Sequence, residues 1–194
     1  APVIGVNVAE KGVAWRRLTV RGTPGHGSMP YRADNALVKA AAVIQRFAEY
    51  RPAARFHELW RTQVDSMDLA EETRAQLLDE DRVDDYLESL PRDQSVDGVA
   101  AHLHSCTHST FSPNVVDGRG KTNVIPDRVS IDLDVRTMPG DHAEEVAIHL
   151  REALGDLADE VEVEMLMDDD ASSSRVDTRL WDSLERCVTK PFPT

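Results

Sequence analysis

Residues 127–138 alternate without a break: Val129, Ile131, Leu133 and Val135 fall on one side, and Ser130, Asp132, Asp134 and Arg136 on the other. Successive side chains of an extended chain point to opposite faces, so this pattern suits a strand buried on one face and polar on the other. A sheet built around such a strand packs one face on a core and leaves the other solvated or turned to a ligand, as antiparallel sheets do.

Three further stretches read as partners for that strand. Residues 13–21 are rich in β-branched and aromatic types and stop at Gly22-Thr-Pro-Gly25, a turn sequence. Residues 107–116 carry Thr, Phe and Val, with Pro113 implying an edge position or a bulge. Residues 160–167 alternate again and should turn Val161, Val163 and Met165 inward.

Between the strands the period changes. From Asp34, read as an N-cap, apolar residues recur at Leu37, Ala40, Ala41, Ile44, Phe47 and Ala48, a helical stripe that ends before Pro52. Asp141, with Glu144 three residues on, resembles a capping box opening a second helix through Ala143, Val146, Ala147, Leu150, Ala153, Leu154 and Leu157. Residues 53–104 read as a helical insertion with pieces at 56–64, 73–78, 83–90 and 96–103. The order strand, helix, insertion, strand, strand, helix, strand predicts an α+β fold. It is the ferredoxin-like βαββαβ two-layer sandwich, a four-stranded antiparallel sheet with two helices on one face.

Composition narrows the function. A net charge of −13 over 194 residues excludes the cationic footprint of a nucleic-acid binder. No apolar run reaches the roughly 18 residues of a membrane span, so the chain reads as soluble, with no membrane partner. Cys106 and Cys187 form no CxxC pair, which suits reduced thiols in a cytoplasmic setting. The helix-like pattern of Leu180, Trp181, Leu184 and Val188 runs straight into Lys190-Pro-Phe-Pro-Thr194, which reads as an excised piece of a longer protein.

Few residues carry chemistry. His26 lies in Gly22-Thr-Pro-Gly-His-Gly-Ser-Met-Pro30, where flanking glycines allow a reactive centre to approach and an imidazole can donate to a developing oxyanion. The bland alternative is a loop histidine on a turn. Asn123, in Lys121-Thr-Asn-Val-Ile-Pro126, and Arg136, in Asp134-Val-Arg136, offer an amide and a guanidinium fork suited to a carboxylate. Equally, Arg136 could pair with Asp134 or a cross-strand acid while Asn123 shapes a turn. His102, His104, Cys106 and His108 are four potential zinc ligands, but alternate residues diverge, so at most two or three could converge. They are read as helix-end histidines and a buried thiol, and the Asp168-Asp-Asp170 run as a solvated loop.

Taken together and in this order, Glu10-Lys-Gly-Val-Ala-Trp15, Gly25-His-Gly-Ser-Met-Pro30 running into Asp34-Asn35-Ala36, Asn123-Val-Ile-Pro126 and Asp134-Val-Arg136 resemble a known domain. It is the lid and dimerisation domain of the ArgE/DapE/aminoacylase/glutamate-carboxypeptidase family of two-zinc metallopeptidases, in its dipeptidase-like or aminoacylase-like members. The resemblance covers about residues 9–168. It implies a junction at 1–11, a lid at 12–168 that carries the 53–104 insertion, and a return segment at 169–194 toward a catalytic domain.

It further implies hydrolysis of an amide bond in a dipeptide or N-acyl amino acid with a free carboxylate. Two zinc ions would be held by the catalytic domain, with no metal expected on this chain and no activity from it alone. His26 matches a histidine that reaches into the partner subunit's active site and stabilises the tetrahedral intermediate. Asn123 and Arg136 match residues that hold the substrate's carbonyl or carboxylate. Glu10 matches the start of the first lid strand, not a general base. In relatives, lid domains pair by sheet edge and helix, which implies a homodimer. The competing readings are a free-standing module that binds a small acid without catalysis, and a purely structural dimerisation module.

Overall fold

The computed structural model describes residues 5–90 and 94–188. The expected tail at 190–194 lies outside them. In chain order the elements are β1 (Ala9–Glu10), β2 (Gly12–Val13), β3 (Arg16–Arg21), β4 (Gly25–His26), α1 (Ala36–Glu49), α2 (Glu58–Ser66), α3 (Glu71–Leu77), α4 (Val83–Ser89) and α5 (Gln94–Thr107). They continue with β5 (Thr110–Asp117), β6 (Val124–Ile125), β7 (Arg128–Thr137), α6 (Ala143–Leu154), a 3-10 turn (Gly155–Glu160), β8 (Val161–Met165), β9 (Ser172–Ser173) and α7 (Arg179–Val188). No helix among the described residues is long and apolar enough to cross a membrane.

The alternating segment is the centre of the main sheet. β7 pairs antiparallel with β2 and β3 on one side and with β5 on the other, and β8 pairs with the free side of β3. The sheet therefore has five strands where four were expected, because the strand expected at 13–21 is divided at Ala14-Trp15. Its register against β7 is continuous through the break, with Val13 opposite Arg136, Ala14 N–H donating to Val135 O, and Arg16 opposite Leu133. The interruption comes from the other side. Leu166 and Met167 N–H both donate to Trp15 O, and the pairing resumes one residue out of step at Val13–Asp169. Pro113 acts as expected: β5 pairs with β7 alone, and its register shifts between Pro113 and Val115.

α1 and α6 cover one face of this sheet. Ala36, Ala40, Val43 and Phe47 of α1 and Val146, Leu150, Ala153 and Leu154 of α6 close over Leu18, Val20, Val129, Ile131, Leu133, Val135 and Val161. Both stripes sit partly off the expected positions. Leu37, Ala41 and Ala48 are exposed, as are Ala143 and Ala147. The caps also move by one residue. Asn35, not Asp34, accepts from Leu37 N–H, because Asp34 is held by Thr23 and Lys39. His142, not Asp141, precedes α6 with Glu145 accepting its N–H, because Asp141 is buried beneath Arg55 and Ser109.

β8 departs most from expectation. Val161 is buried, but Val163 and Met165, on the same side, are 49% and 58% exposed. They continue the core face past the reach of the helices on an edge strand, so no layer covers them. The acidic run is also more than a solvated loop: Asp168 pairs with the buried Arg16 at 2.6 Å, and Asp169 bridges to Val13.

The helical segment has its own interior. Ala54, Trp60, Val64, Leu77, Val83, Leu87 and Leu103 form a second cluster, with Trp60 Nε1 donating to Leu77 O at 2.8 Å. A polar tie joins it to the sheet layer. The Asp141 carboxylate accepts from Arg55 and from Ser109 Oγ, which in turn accepts from Met138 N–H.

Candidate functional site

His26 and Asn123, far apart in sequence, are neighbours. β4 pairs with β6 so that His26 lies opposite Val124, and Gly27 N–H donates to Asn123 O at 2.7 Å. The turn before them is anchored from three sides. Gly22 N–H donates to Asp127 O, Thr23 N–H to Asp34 O, and Ala36 N–H to Pro126 O. The Gly-Thr-Pro-Gly turn, the start of α1 and the Asn-Val-Ile-Pro segment thus form one knot. Two glycines allow its close approaches: a Cβ on Gly22 would strike the backbone of Asp34 and Ala36, and one on Gly27 would stand 2.9 Å from the carbonyl carbon of Asn123.

The imidazole of His26 is exposed, and its tautomer follows from its contacts. Nδ1 accepts from Ser28 N–H at 3.2 Å and lies 2.8 Å from Ser28 Oγ. A neutral ring whose Nδ1 accepts a backbone N–H carries its proton on Nε2. His26 therefore presents an N–H donor outward without needing a charge. Ser28 was not singled out by sequence, although its place two residues after a histidine in a tight turn was the available signal. Met29 and Tyr31, 69% and 82% exposed, continue the same protruding loop.

Arg136 is elsewhere. Arg21, at the end of β3 next to the knot, pairs with Arg128, and Arg136 is eight residues further along β7. At about 3.4 Å per residue that places it about 27 Å from the His26 end of the sheet. There its fork is engaged by Asp134, with Nε at 2.8 Å and Nη2 at 3.3 Å, and the same carboxylate accepts from Trp15 Nε1 at 2.9 Å. Lys11 shares this end of the sheet. Burial pulls its ammonium down to about 8, with Arg136 adding like-charge repulsion, and Nζ donates to His108 O at 2.5 Å.

Arg136 lies on the open face, where other ion pairs cross between strands: Arg17 grips Asp132 through Nε and Nη2, and Arg21 meets Glu162. A cavity of about 350 Å³ lined by Phe47, Tyr50, Arg51, His104, Ser109 and Phe111 includes none of the three candidate residues. Nor do metal donors gather around His26. Among the described residues one group of three lies close enough to share an ion, Asp84, His104 and His108 in the helical segment. His26 is not among them, and its loop supplies no second metal-ligand side chain among the described residues.

Comparison with known proteins places the whole arrangement. A family model described as the peptidase dimerisation domain matches residues 8–162. No curated protein sequence matches. Among solved structures the chain is similar to human carnosine dipeptidase 1, with a TM-score of 0.60 and 16% identity over 93% of this chain and 41% of that one. It is similar to a metallo-carboxypeptidase from Sulfolobus solfataricus, with a TM-score of 0.60 and 16% identity over 91% of this chain and 42% of the other. It is also similar to the di-peptidase Dug1p from Saccharomyces cerevisiae, with a TM-score of 0.57 and 14% identity over 92% and 40%. Likeness at such identity shows a shared fold. The chain spans about two-fifths of the length of these structures.

Proposed function

The chain belongs to the peptidase dimerisation-domain family, and from that membership we propose that it is the lid of a zinc-dependent peptidase or amidohydrolase. The enzyme acts as a homodimer on a small amide substrate with a free carboxylate, a dipeptide or an N-acyl amino acid. The succession β3, α1, β5, β7, α6, β8 is read as the ferredoxin-like split motif, with β2 and β3 as one interrupted strand. The antiparallel pairing of β1 with β9 and of Val13 with Asp169 brings residues 9–13 and 169–173 side by side. That suits a module carried on two adjacent strands of a larger catalytic domain. Cys106 and Cys187 are both free, in keeping with a reducing, cytoplasmic setting.

The observation that carries the reading is the Nε2–H of His26, held outward on an anchored loop. A fixed neutral donor is what an oxyanion formed at an amide carbonyl requires, because it needs no reorganisation as charge develops. Asn123, whose backbone carbonyl accepts from Gly27 N–H, belongs to the same knot and is read as the second substrate-binding residue there. Arg136 acts at a different place. About 27 Å of strand is too far for one dipeptide-sized substrate to meet His26 and Arg136 of the same chain. Two chains resolve this if the His26 loop of one protomer reaches the cleft that Arg136 of its partner borders. Edge-to-edge pairing at β5 is supported by its free side, where β5 pairs with β7 alone among the described strands, and by the exposure of Val115 and Val116 on it.

The test is kinetic and uses the full-length enzyme with acyl-amino acids and dipeptides. His26→Ala should lower kcat about a hundredfold or more, since losing one oxyanion donor costs ~2.7–4 kcal/mol. Arg136→Ala should raise KM for substrates with a free carboxylate and leave their amidated analogues unaffected. An unchanged kcat in His26→Ala removes the residue from the mechanism. An unchanged KM in Arg136→Ala assigns that arginine to its ion pair with Asp134 alone.

A further inference from the structure

The His26 ring is held by a contact that usually belongs to a shorter side chain. His26 O accepts from Met29 N–H at 2.9 Å and closes a four-residue turn, while Nδ1 of the same residue accepts from Ser28 N–H, two residues on, at 3.2 Å. An aspartate or asparagine oxygen makes this contact in an Asx-turn, and here a ring nitrogen takes its place. His57 shows what the backbone contact does by itself. Its Nδ1 likewise accepts from the N–H two residues on, that of Leu59, at 3.3 Å, and caps α2. Residue 59 brings no polar side chain. Residue 28 brings a hydroxyl, and its oxygen lies 2.8 Å from the same Nδ1.

A hydroxyl there could donate to Nδ1 or accept a proton carried by it, and the backbone decides between the two. A proton on Nδ1 would set two donors against each other, the ring N–H and Ser28 N–H, at 3.2 Å. With Nδ1 bare, the N–H and the O–H both converge on its lone pair, the hydroxyl being the nearer. Ser28 is exposed, so burial does not account for this contact.

The hydroxyl has two effects on the ring. It turns Nδ1 back onto its own turn, which fixes the ring plane and directs Nε2–H away from the turn. It also polarises the imidazole: hydrogen bonds in series strengthen one another, so donation into Nδ1 makes Nε2–H the better donor.

We propose that Ser28 is the positioning residue of His26, its hydroxyl fixing both the Nε2–H tautomer and the ring plane that meet an oxyanion. The inference rests on the lid reading of His26 and adds to it a statement about protons. His26 keeps its one ring proton throughout, sharing it with the oxyanion, and Nδ1 has none to give. The proton that the departing amine needs therefore comes from another group. A histidine ring has about six orientations, three at χ1 and roughly two at χ2, so losing the nearer of its two ties should cut the productive fraction ~3- to 10-fold.

The test has two arms. In the 194-residue chain, long-range nitrogen-15 spectra at slightly alkaline pH should show His26 with Nδ1 bare and Nε2 protonated. Ser28→Ala should move His26 toward a mixture of tautomers while His57 keeps its own pattern, and Ser28→Thr should restore the parent spectrum. In the full-length enzyme, with dipeptides and N-acyl amino acids, Ser28→Ala should lower kcat by the stated factor at unchanged KM, and Ser28→Thr should recover it. In a His26→Ala background the serine change should cost nothing more, because a residue that acts through the ring has no effect once the ring is gone. Three results would each overturn the assignment: a parent spectrum with Nδ1 protonated, a Ser28→Ala variant that leaves either the spectrum or kcat unchanged, or an equal further loss in the His26→Ala background. Failure of the lid reading looks different. An unchanged kcat in His26→Ala beside the expected parent spectrum would take the catalytic role from both residues and leave the hydroxyl contact as a feature of the turn alone.

Discussion

Gly27→Ala separates the geometry of the His26 loop from its composition. The new Cβ would lie 2.9 Å from the carbonyl carbon of Asn123, 3.0 Å from its Cα and 3.1 Å from its oxygen, where ordinary contact begins at 3.4 Å. All three atoms are backbone, so no side chain can swing aside and β4 must move off β6 by about half an ångström. Gly27 is not among the positive-φ glycines, Gly140 and Gly155, so the cost is contact and not backbone strain.

Overpacking of this kind costs ~1–3 kcal/mol, and weakening the Gly27 N–H to Asn123 O bond adds ~0.5–1.5 kcal/mol. The stiffer unfolded chain returns ~0.4–1 kcal/mol. The net is a loss of ~0.5–4 kcal/mol, read as a lower urea midpoint at constant m. On the role proposed for His26, the functional loss should be larger than this destabilisation suggests. His26 shares the displaced strand, and misplacing a positioned group by a fraction of an ångström to 1 Å lowers kcat roughly ten- to a hundredfold. The control is Gly98→Ala in α5, where a Cβ meets nothing within 4 Å and alanine should stabilise by ~1 kcal/mol. If Gly27→Ala left both the urea midpoint of this chain and kcat of the full-length enzyme unchanged, the close approach would not be what positions His26.

Other expectations follow from the same structure. Asp141→Ala leaves the buried Ser109 hydroxyl without its acceptor, worth ~1.5–3 kcal/mol, whereas half-exposed Arg55 rehydrates and contributes ~0–1 kcal/mol. Asp141→Asn keeps an acceptor and should recover most of that loss in the same urea titration; equal losses in the two variants would refute the hydrogen-bond account. Leu77→Ala, at a fully buried position of the second cluster, should cost ~2–5 kcal/mol. Hydrogen exchange should quicken in α2 to α5 while β7 stays protected; uniform quickening would mean the two clusters open together.

His104 titrates near 4 when folded and near 6.5 when unfolded, so the unfolded chain takes the proton first and stability falls as pH drops from 6.5 toward 4. Urea midpoints at pH 6.5 and 5 should show that slope, and His104→Gln should flatten it. The carboxylates held low by Arg17, Arg21 and the His142 N–H, those of Asp132, Glu162 and Glu145, lose their stabilisation as pH falls from their unfolded values of 3.8 and 4.5, below the pH 6.5 to 5 comparison. A slope that persists in the variant would assign the effect to another group.

Much of the scaffold was legible in local pattern. The alternation through Val129, Ile131, Leu133 and Val135 identified the central strand because the extended chain alternates faces whatever surrounds it. Pro113 marked an edge and a bulge because it has no N–H to give. The four helical pieces of residues 53–104 each appear as a helix, since the 3.6-residue period survives in a small amphipathic segment. Cap positions slipped by one residue at both Asp34 and Asp141, because each carboxylate found a tertiary partner that outbid the helix N-terminus.

The candidate site was only half legible. His26, Asn123 and Arg136 were visible as residue types, but not their separation into a His26–Asn123 knot at one end of the sheet and an ion-paired Arg136 at the other. Asp84 carried no mark at all, since nothing local distinguishes an aspartate that will face two histidines from one that faces water. The outward turn of Val163 and Met165 was equally hidden: alternation assigns a side chain to a face, but only packing decides how far a helix layer extends over it. By itself the sequence determined the elements, their order and the residue types available, because backbone geometry and hydrophobic period act over a few residues. Which side chains converge, which caps are diverted and which faces stay bare was decided by the tertiary structure, because those contacts join residues many positions apart through a register and a layer that no local window contains.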